Sequence, residues 1–426
     1  MDDKTELLEA LKHSHVFLTG GAGVGKSYLT NEVIGTYRKE GRQVIALGST
    51  GVSAVNIGGF TVHSFFVFGI ANNLEALVLQ DKRAKKRLTD LQKILKATDL
   101  IVIDEISMIS ADMLDMIAYR LSRYGYLGKL LFVGDFFQLP PVQKRSQPES
   151  LLGERLYAFE SSAWEHFSLM VIELTTMKRT QDAYFTHILS KVRKGVCDKE
   201  VLEFMYGLWN NTALNEPTYL FGRNIEVEQT NREKLNTLQS EETILFADIS
   251  LEGKVHEKKL EGWKKMLPIS QQLTLKEGVP VLFTVNKWGK FVNGERGILR
   301  KIEEEYLIVE KEEAYVRVER HTFDLLEMRV DDTGSVESIS LATCAQFPLK
   351  LAYAVTIHKS QGMSIDQLVC NVDHIFAPSQ FYVAISRAIN PKTLRIDFSR
   401  GDLGAYLQRM IQVDARVVDY YASLQA

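Results

Sequence analysis

A short apolar run, Val16–Thr19, leads directly into the octapeptide GGAGVGKS at positions 20–27. The spacing G-x-x-x-x-G-K-[ST], met by Gly20, Gly25, Lys26 and Ser27, requires a buried strand, a tight loop and a helix start in that order. Few folds satisfy it. Glycine is needed because the loop must curl until its N–H groups face a phosphate, where a Cβ would obstruct the approach. Lys26 would then reach the β and γ phosphates, and Ser27 would offer a hydroxyl to Mg2+, with the positive end of the helix under the anion. Gly21, Gly23, Val24, Gly25 and Tyr28 complete the candidate nucleotide cradle.

Similar apolar runs recur at Val44–Leu47, Leu100–Ile103, Leu130–Val133 and Val171–Leu174, mostly separated by helix-length stretches. That alternation predicts an α/β fold with a largely parallel sheet. At about 150 residues per domain, the 426-residue chain holds two to four domains. No run approaches the roughly 20 apolar residues of a membrane span. Cys197, Cys344 and Cys370 are far apart and lack CxxC spacing, which excludes a disulfide framework or thiolate zinc site and makes a reducing cytoplasm the default. Met1–His15 is polar and helical in pattern, with no expected leader peptide ahead of the first apolar run. The formal charge of −3 carries no global sign of a nucleic-acid partner, so any such partner must be argued locally.

Two regions break the alternation. Seven Lys or Arg residues stand against Asp90 between Lys82 and Lys96. From about Lys254 to Cys344, short alternating runs at Val279–Val285, Gly297–Leu299, Tyr306–Val309 and Ala314–Val318, with a turn at Asn293-Gly294, predict a small β insertion. A second α/β half brackets it, with strands expected at Tyr219–Phe221, Leu351–Val355, Leu368–Asn371 and Leu394–Ile396.

A phosphate site needs a metal anchor at a neighbouring strand end, and IVIDE at 101–105 provides one. Asp104 would hold Mg2+ and Glu105 would polarise the attacking water at the carboxyl edge of the sheet, where ligands bind in open α/β folds. Gln138, just past the apolar run at 130–133, could hydrogen-bond the γ phosphate or that water.

Together these motifs resemble superfamily 1 helicases of the 5′-to-3′ class, and among them the petite-integration-frequency (PIF) family, with RecD-like and Dda helicases as relatives. The resemblance rests on GGAGVGKS, STGVSA (49–54), FTVHSFF (60–66), IVIDEISM (101–108), GDFFQLPP (134–141), AFESSAW (158–164), TIHKSQGMS (356–364) and YVAISRA (382–388), in the family's order. It implies two RecA-like domains, with ATP on the first and single-stranded DNA running across both. The expected boundaries are 1–66 with 98–180 for the first, 67–97 for a wedge subdomain, 181–253 with 345–426 for the second, and 254–344 for an SH3-like subdomain. Phe65, Phe66 and Phe68 are apolar candidates for the strand-separating wedge, with plain core residues as the alternative.

The resemblance also assigns Arg179 and Arg387 to the charge developing on the γ phosphate and places Gln361 near it. Thr50, Thr61 and His63, then Asn224, Thr356, His358 and Lys359, resemble positions touching DNA; such side chains grip a backbone without reading bases. The implied protein is an ATP- and Mg2+-dependent 5′-to-3′ DNA helicase acting on single strands and on junctions with duplex, in replication, repair or recombination. G-quadruplexes and RNA–DNA hybrids stay open as substrates. It is expected to be a monomer, away from membranes, in the cytoplasm of a bacterial or phage-infected cell and associated with the nucleoid. Met1–His15 contains no Gln at the family's adenine-reading place, Thr180 stands where a Gln often follows the arginine, and RLSRYGYLGK at 120–129 suits a short bacterial or phage-like form. Two rival readings are a P-loop ATPase that ignores nucleic acid and a DNA-binding module with a decayed ATPase. The first leaves TIHKSQG and YVAISRA unexplained, and intact Lys26, Asp104, Glu105, Gln138 and Arg387 oppose the second.

Overall fold

Strand β1 (Val16–Gly20) is buried at all five positions, as a strand covered on both faces must be. It lies inside a six-stranded parallel sheet with β2 (Val44–Gly48), β3 (Phe60–Thr61), β4 (Leu100–Asp104), β5 (Lys129–Val133) and β6 (Met170–Leu174), in the order 3-2-4-5-1-6. The apolar runs therefore mark five of the six strands to within about one residue. One face of the sheet packs Val16, Leu18, Val102 and Leu131 against helices Asp3–His13 and Lys26–Lys39 through Leu7, Leu11, Leu29 and Val33.

The computed structural model describes residues 2–82, 84–141, 155–287, 289–311, 314–330, 336–375 and 377–424. Arg83 of the basic segment lies outside them, as does part of the expected β insertion. Contacts divide the chain into two units: Met1–Thr176 with Leu326–Ile339 and Ala415–Ala426, and Met177–Leu325 with Ser340–Asp414. The C-terminal segment thus departs from the boundary expected at 345–426. Helix Ala415–Ser423 buries Val417 and Tyr421 in the first unit, because β1 presents an aromatic-lined face that needs covering.

The basic stretch forms helix Lys85–Ala97, amphipathic with Leu88, Leu91, Ile94 and Leu95 buried and its lysines exposed. The wedge candidates take the core alternative. Phe65, Phe66 and Phe68 are all core, with Phe66 stacked on Phe68 at 5.6 Å. Arg120, itself fully buried, fastens that core by bonding both oxygens of Asp81 and the Phe66 carbonyl.

In the second unit a four-stranded parallel sheet runs Ala354–Thr356, Thr218–Phe221, Leu368–Asn371, Leu394–Asp397. The expected single strand Leu351–Val355 is two. Leu349–Leu351 pairs antiparallel with Pro280–Phe283 in a five-stranded insertion sheet that includes Arg296–Ile302, Tyr306–Lys311 and Ala314–Glu319, whereas Ala354–Thr356 joins the parallel sheet. Strands His321–Val330 and Val336–Gln346, with Asp248–Leu251, form a further sheet that the sequence pattern did not indicate.

Candidate active site and nucleic-acid interface

The phosphate loop is shaped by close approach. At Gly20, where φ is +139°, an added Cβ would sit 2.3 Å from the Leu174 carbonyl oxygen of β6, so only glycine can end β1 there. Gly23 and Gly25 take φ of +85° and +97°, and Gly25 caps helix Lys26–Lys39, whose first turn carries no acidic residue. An anion therefore meets backbone N–H groups and the positive helix end. Lys26 Nζ folds back over the loop, donating to the carbonyl oxygens of Gly20 (2.7 Å) and Gly21 (3.0 Å). Val24 turns its side chain into the core, while Ser27 and Tyr28 are exposed on the first helical turn.

Asp104 closes β4 with its Oδ1 accepting the Glu105 N–H at 2.9 Å. Glu105 takes φ of +55°, a left-handed conformation that costs a non-glycine residue about 1–3 kcal/mol. Burial, then the Glu105 carboxylate, push the Asp104 pKa up to about 7, while Lys26 pulls it the other way. An acid held in that tension suits a cation. Among the described residues no three His, Cys, Asp or Glu side chains converge on a metal position. A hydroxyl and a carboxylate are nonetheless a fitting pair for Mg2+, which keeps waters and shares its shell with substrate phosphates.

Gln138 lies past β5 in a turn governed by a residue to which the sequence alone assigned no role. Asp135 is fully buried and accepts the Phe137 N–H (3.2 Å) and the Gln138 side-chain amide (3.2 Å). An acid directly after a buried strand was the available signal.

Thr50 and Thr61 follow β2 and end β3, whose register pairs Gly48 with Thr61. Each caps a short helix, Thr50 accepting the Ser53 N–H at 3.1 Å and Thr61 the Ser64 N–H at 3.3 Å. His63 is exposed, edge-on to Phe68.

In the second unit Arg179 Nε donates to Ser364 Oγ (2.8 Å) and its Nη1 to the Ser386 carbonyl (2.8 Å). Arg387 is 2% exposed, donating to the Val383 carbonyl (2.9 Å) and the Ser386 hydroxyl (3.0 Å). Gln361 carries a buried Nε2 with no hydrogen-bond partner among the described residues. Thr356 ends its strand with Oγ1 accepting the Lys359 N–H (3.3 Å), and Asn224 opens helix Asn224–Asn236 after the adjacent strand. Lys359 is exposed, whereas burial pushes the His358 imidazole pKa down.

A parallel sheet with a phosphate loop on β1, an acid pair on β4 and a glutamine turn after β5 defines a P-loop ATPase. A PIF1-like helicase family model matches residues 3–202, and a second helicase model matches residues 292–403. The ATP-dependent DNA helicase Pif1 of Campylobacter jejuni is 42% identical, over 99% of this chain and 97% of that one. Bacteroides sp Pif1 in complex with ADP-AlF4 superposes with a TM-score of 0.82 at 26% identity, covering 100% of this chain and 97% of that one. Bacteroides Pif1 bound to ssDNA gives 0.64 at 26% identity, covering 99% and 96%. The chain belongs to the PIF1-like helicase family, and its two parallel sheets are the cores of two RecA-like domains.

Proposed function

We propose that this chain, an ATP-dependent DNA helicase, moves 5′-to-3′ along single-stranded DNA and separates the duplex ahead of it, in DNA replication, repair or recombination. One observation carries the link between hydrolysis and DNA. The Asp104 carbonyl accepts the Ser49 N–H at 3.3 Å, and Ser49 precedes Thr50. The acid at the nucleotide therefore pairs with Gly48 across β4 and β2, and the hydroxyl assigned to DNA follows two residues past that pair.

Lys26 and the loop amides hold the β and γ phosphates. Mg2+ on the Ser27 hydroxyl and, through water, on Asp104 would neutralise phosphate charge. Glu105 takes the proton of the water whose oxygen attacks the γ phosphorus, Gln138 orients that water, and ADP leaves. Arg179, Arg387 and Gln361 meet the charge on the transferring group. Thr50, Thr61 and His63 on one unit, with Asn224, Thr356, His358 and Lys359 on the other, grip the DNA backbone. Polarity rests on the 5′-to-3′ class that TIHKSQG and YVAISRA resemble. The 67–97 segment as wedge subdomain and the insertion sheet as SH3-like cover belong to the same proposal.

The test is unwinding of duplexes carrying a single 5′ or 3′ tail, alongside ATP hydrolysis with and without single-stranded DNA. We expect DNA-stimulated hydrolysis and separation of 5′-tailed substrates, with Lys26→Ala abolishing both and leaving salt-sensitive DNA binding. Separation of 3′-tailed substrates alone would overturn the polarity, and hydrolysis indifferent to DNA would overturn the coupling.

A further inference from the structure

Side chains alternate along β1, and Val16 and Leu18 face the helical layer, so Phe17 and Thr19 face the opposite way. That second face is covered by an aromatic group to which the C-terminal helix contributes two residues. Tyr420 stacks on Phe159 at 4.4 Å and meets Phe136 edge-on at 5.6 Å, while Tyr421 stacks on Phe137 at 4.6 Å.

Thr19 is 1% exposed, so its hydroxyl needs a partner inside the protein. The Tyr421 hydroxyl supplies it at 2.7 Å, and the same oxygen accepts the Phe136 N–H at 3.3 Å. One phenol oxygen therefore joins the last residue before the phosphate loop to the turn that carries Gln138. Asp135 pins the turn from the other side through the Phe137 N–H and the Gln138 amide.

We propose that Tyr421 is a positioning residue for ATP hydrolysis, fixing the Phe136–Gln138 turn against the end of β1 so that the Gln138 amide is held in register with the phosphate loop. The inference rests on Gln138 acting at the γ phosphate. It assigns to the C-terminal helix, whose chain arrives from Asp414 of the second unit, a part in catalysis that its distance in sequence conceals. A group that orients another gives a rate effect with little binding effect, because only the reacting geometry is lost.

Tyr421→Phe removes the hydroxyl and keeps the ring against Phe137. In the full chain we expect the kcat of DNA-stimulated ATP hydrolysis to fall roughly tenfold, with the KM for ATP and single-strand affinity close to wild type and only a modest fall in Tm from the orphaned Thr19 hydroxyl. Tyr421→Leu, which also removes the stack, should lower kcat further. An unchanged kcat in Tyr421→Phe overturns the proposal, as does a parallel loss of kcat, KM and Tm, which would mark a purely structural role. Should Tyr421→Phe fail to fold, Thr19→Val strips the same hydroxyl of its β1 partner; a selective fall in its kcat supports the proposal, and an unchanged kcat overturns it. A wild-type enzyme unstimulated by DNA would count against the proposed function and leave this comparison readable on basal hydrolysis.

Discussion

Arg179 and Arg387 both bond to Ser386, the first through its carbonyl oxygen at 2.8 Å and the second through its hydroxyl at 3.0 Å. Arg179 keeps some accessible surface, yet burial and then the charge of Arg387 push its pKa down to about 9. A guanidinium does not give up its proton under working conditions, so the repulsion between the two charges favours an anion beside them. In the proposed function that anion is the γ phosphate. Arg387→Ala and Arg179→Ala should each slow DNA-stimulated hydrolysis by about 10³-fold while changing ATP affinity far less. Steady-state kinetics beside equilibrium nucleotide titration check this, and wild-type turnover in either variant would remove that arginine from the chemistry.

Arg120 is fully buried and bonds Asp81 through two oxygens, at 2.7 and 2.6 Å, and the Phe66 carbonyl at 3.0 Å. Removing one partner strands a charge in an apolar setting. Asp81→Ala should therefore cost about 3–5 kcal/mol in urea denaturation, while the double replacement Asp81→Leu with Arg120→Met should recover most of it. A single substitution without effect would show that water reaches the pair.

The same residues mark the limit of what the sequence discloses. Strands β1, β4 and β5 are legible because a parallel strand covered on both faces leaves an unbroken apolar run. The loop glycines and the acid pair are legible because their chemistry dictates spacing. Phe65, Phe66 and Phe68 are different. An apolar residue in a polar segment reads equally as wedge or core until its partners are known, and Arg120 bonds the Phe66 carbonyl from 54 positions away. The strands at 321–330 and 336–346 are also hidden. Asp324, Glu327 and Arg329 interrupt the first, so its apolar alternation is faint. Tyr421 lies 402 positions from Thr19, and no local pattern announces that bond.

His15 accepts the Leu130 N–H on Nδ1 at 3.0 Å, which only a ring unprotonated at that nitrogen can do. Burial, then the Lys129 charge, push its pKa down from 6.5. The unfolded chain therefore takes up the proton first as pH falls. The stability that His15 contributes is complete above 6.5 and is lost as pH drops from there through the depressed folded value. His15→Gln should be clearly less stable than wild type near pH 8, with the gap narrowing by about pH 5. Denaturant titrations at the two pH values test this, and a constant gap would contradict it.

Two glycines, one opening the phosphate loop and one in the helix that follows it, separate backbone necessity from tolerance. Gly20 pairs with Leu174 across β1 and β6, and its φ of +139° and the 2.3 Å approach of the Leu174 carbonyl leave no room for a methyl. Gly35 sits inside helix Lys26–Lys39, where an added Cβ would have nothing within 4 Å. The same substitution should therefore act with opposite sign. Gly20→Ala must shift the strand end or the loop, lowering Tm and weakening ATP binding by about tenfold or more, because the amides no longer converge. Gly35→Ala should stabilise by about 0.5–1 kcal/mol through helix propensity alone, with ATP affinity unaltered. Thermal melts with nucleotide titration compare the pair directly. Equal effects from the two substitutions would mean that helix propensity governs the loop, and that the close approach of β6 does not.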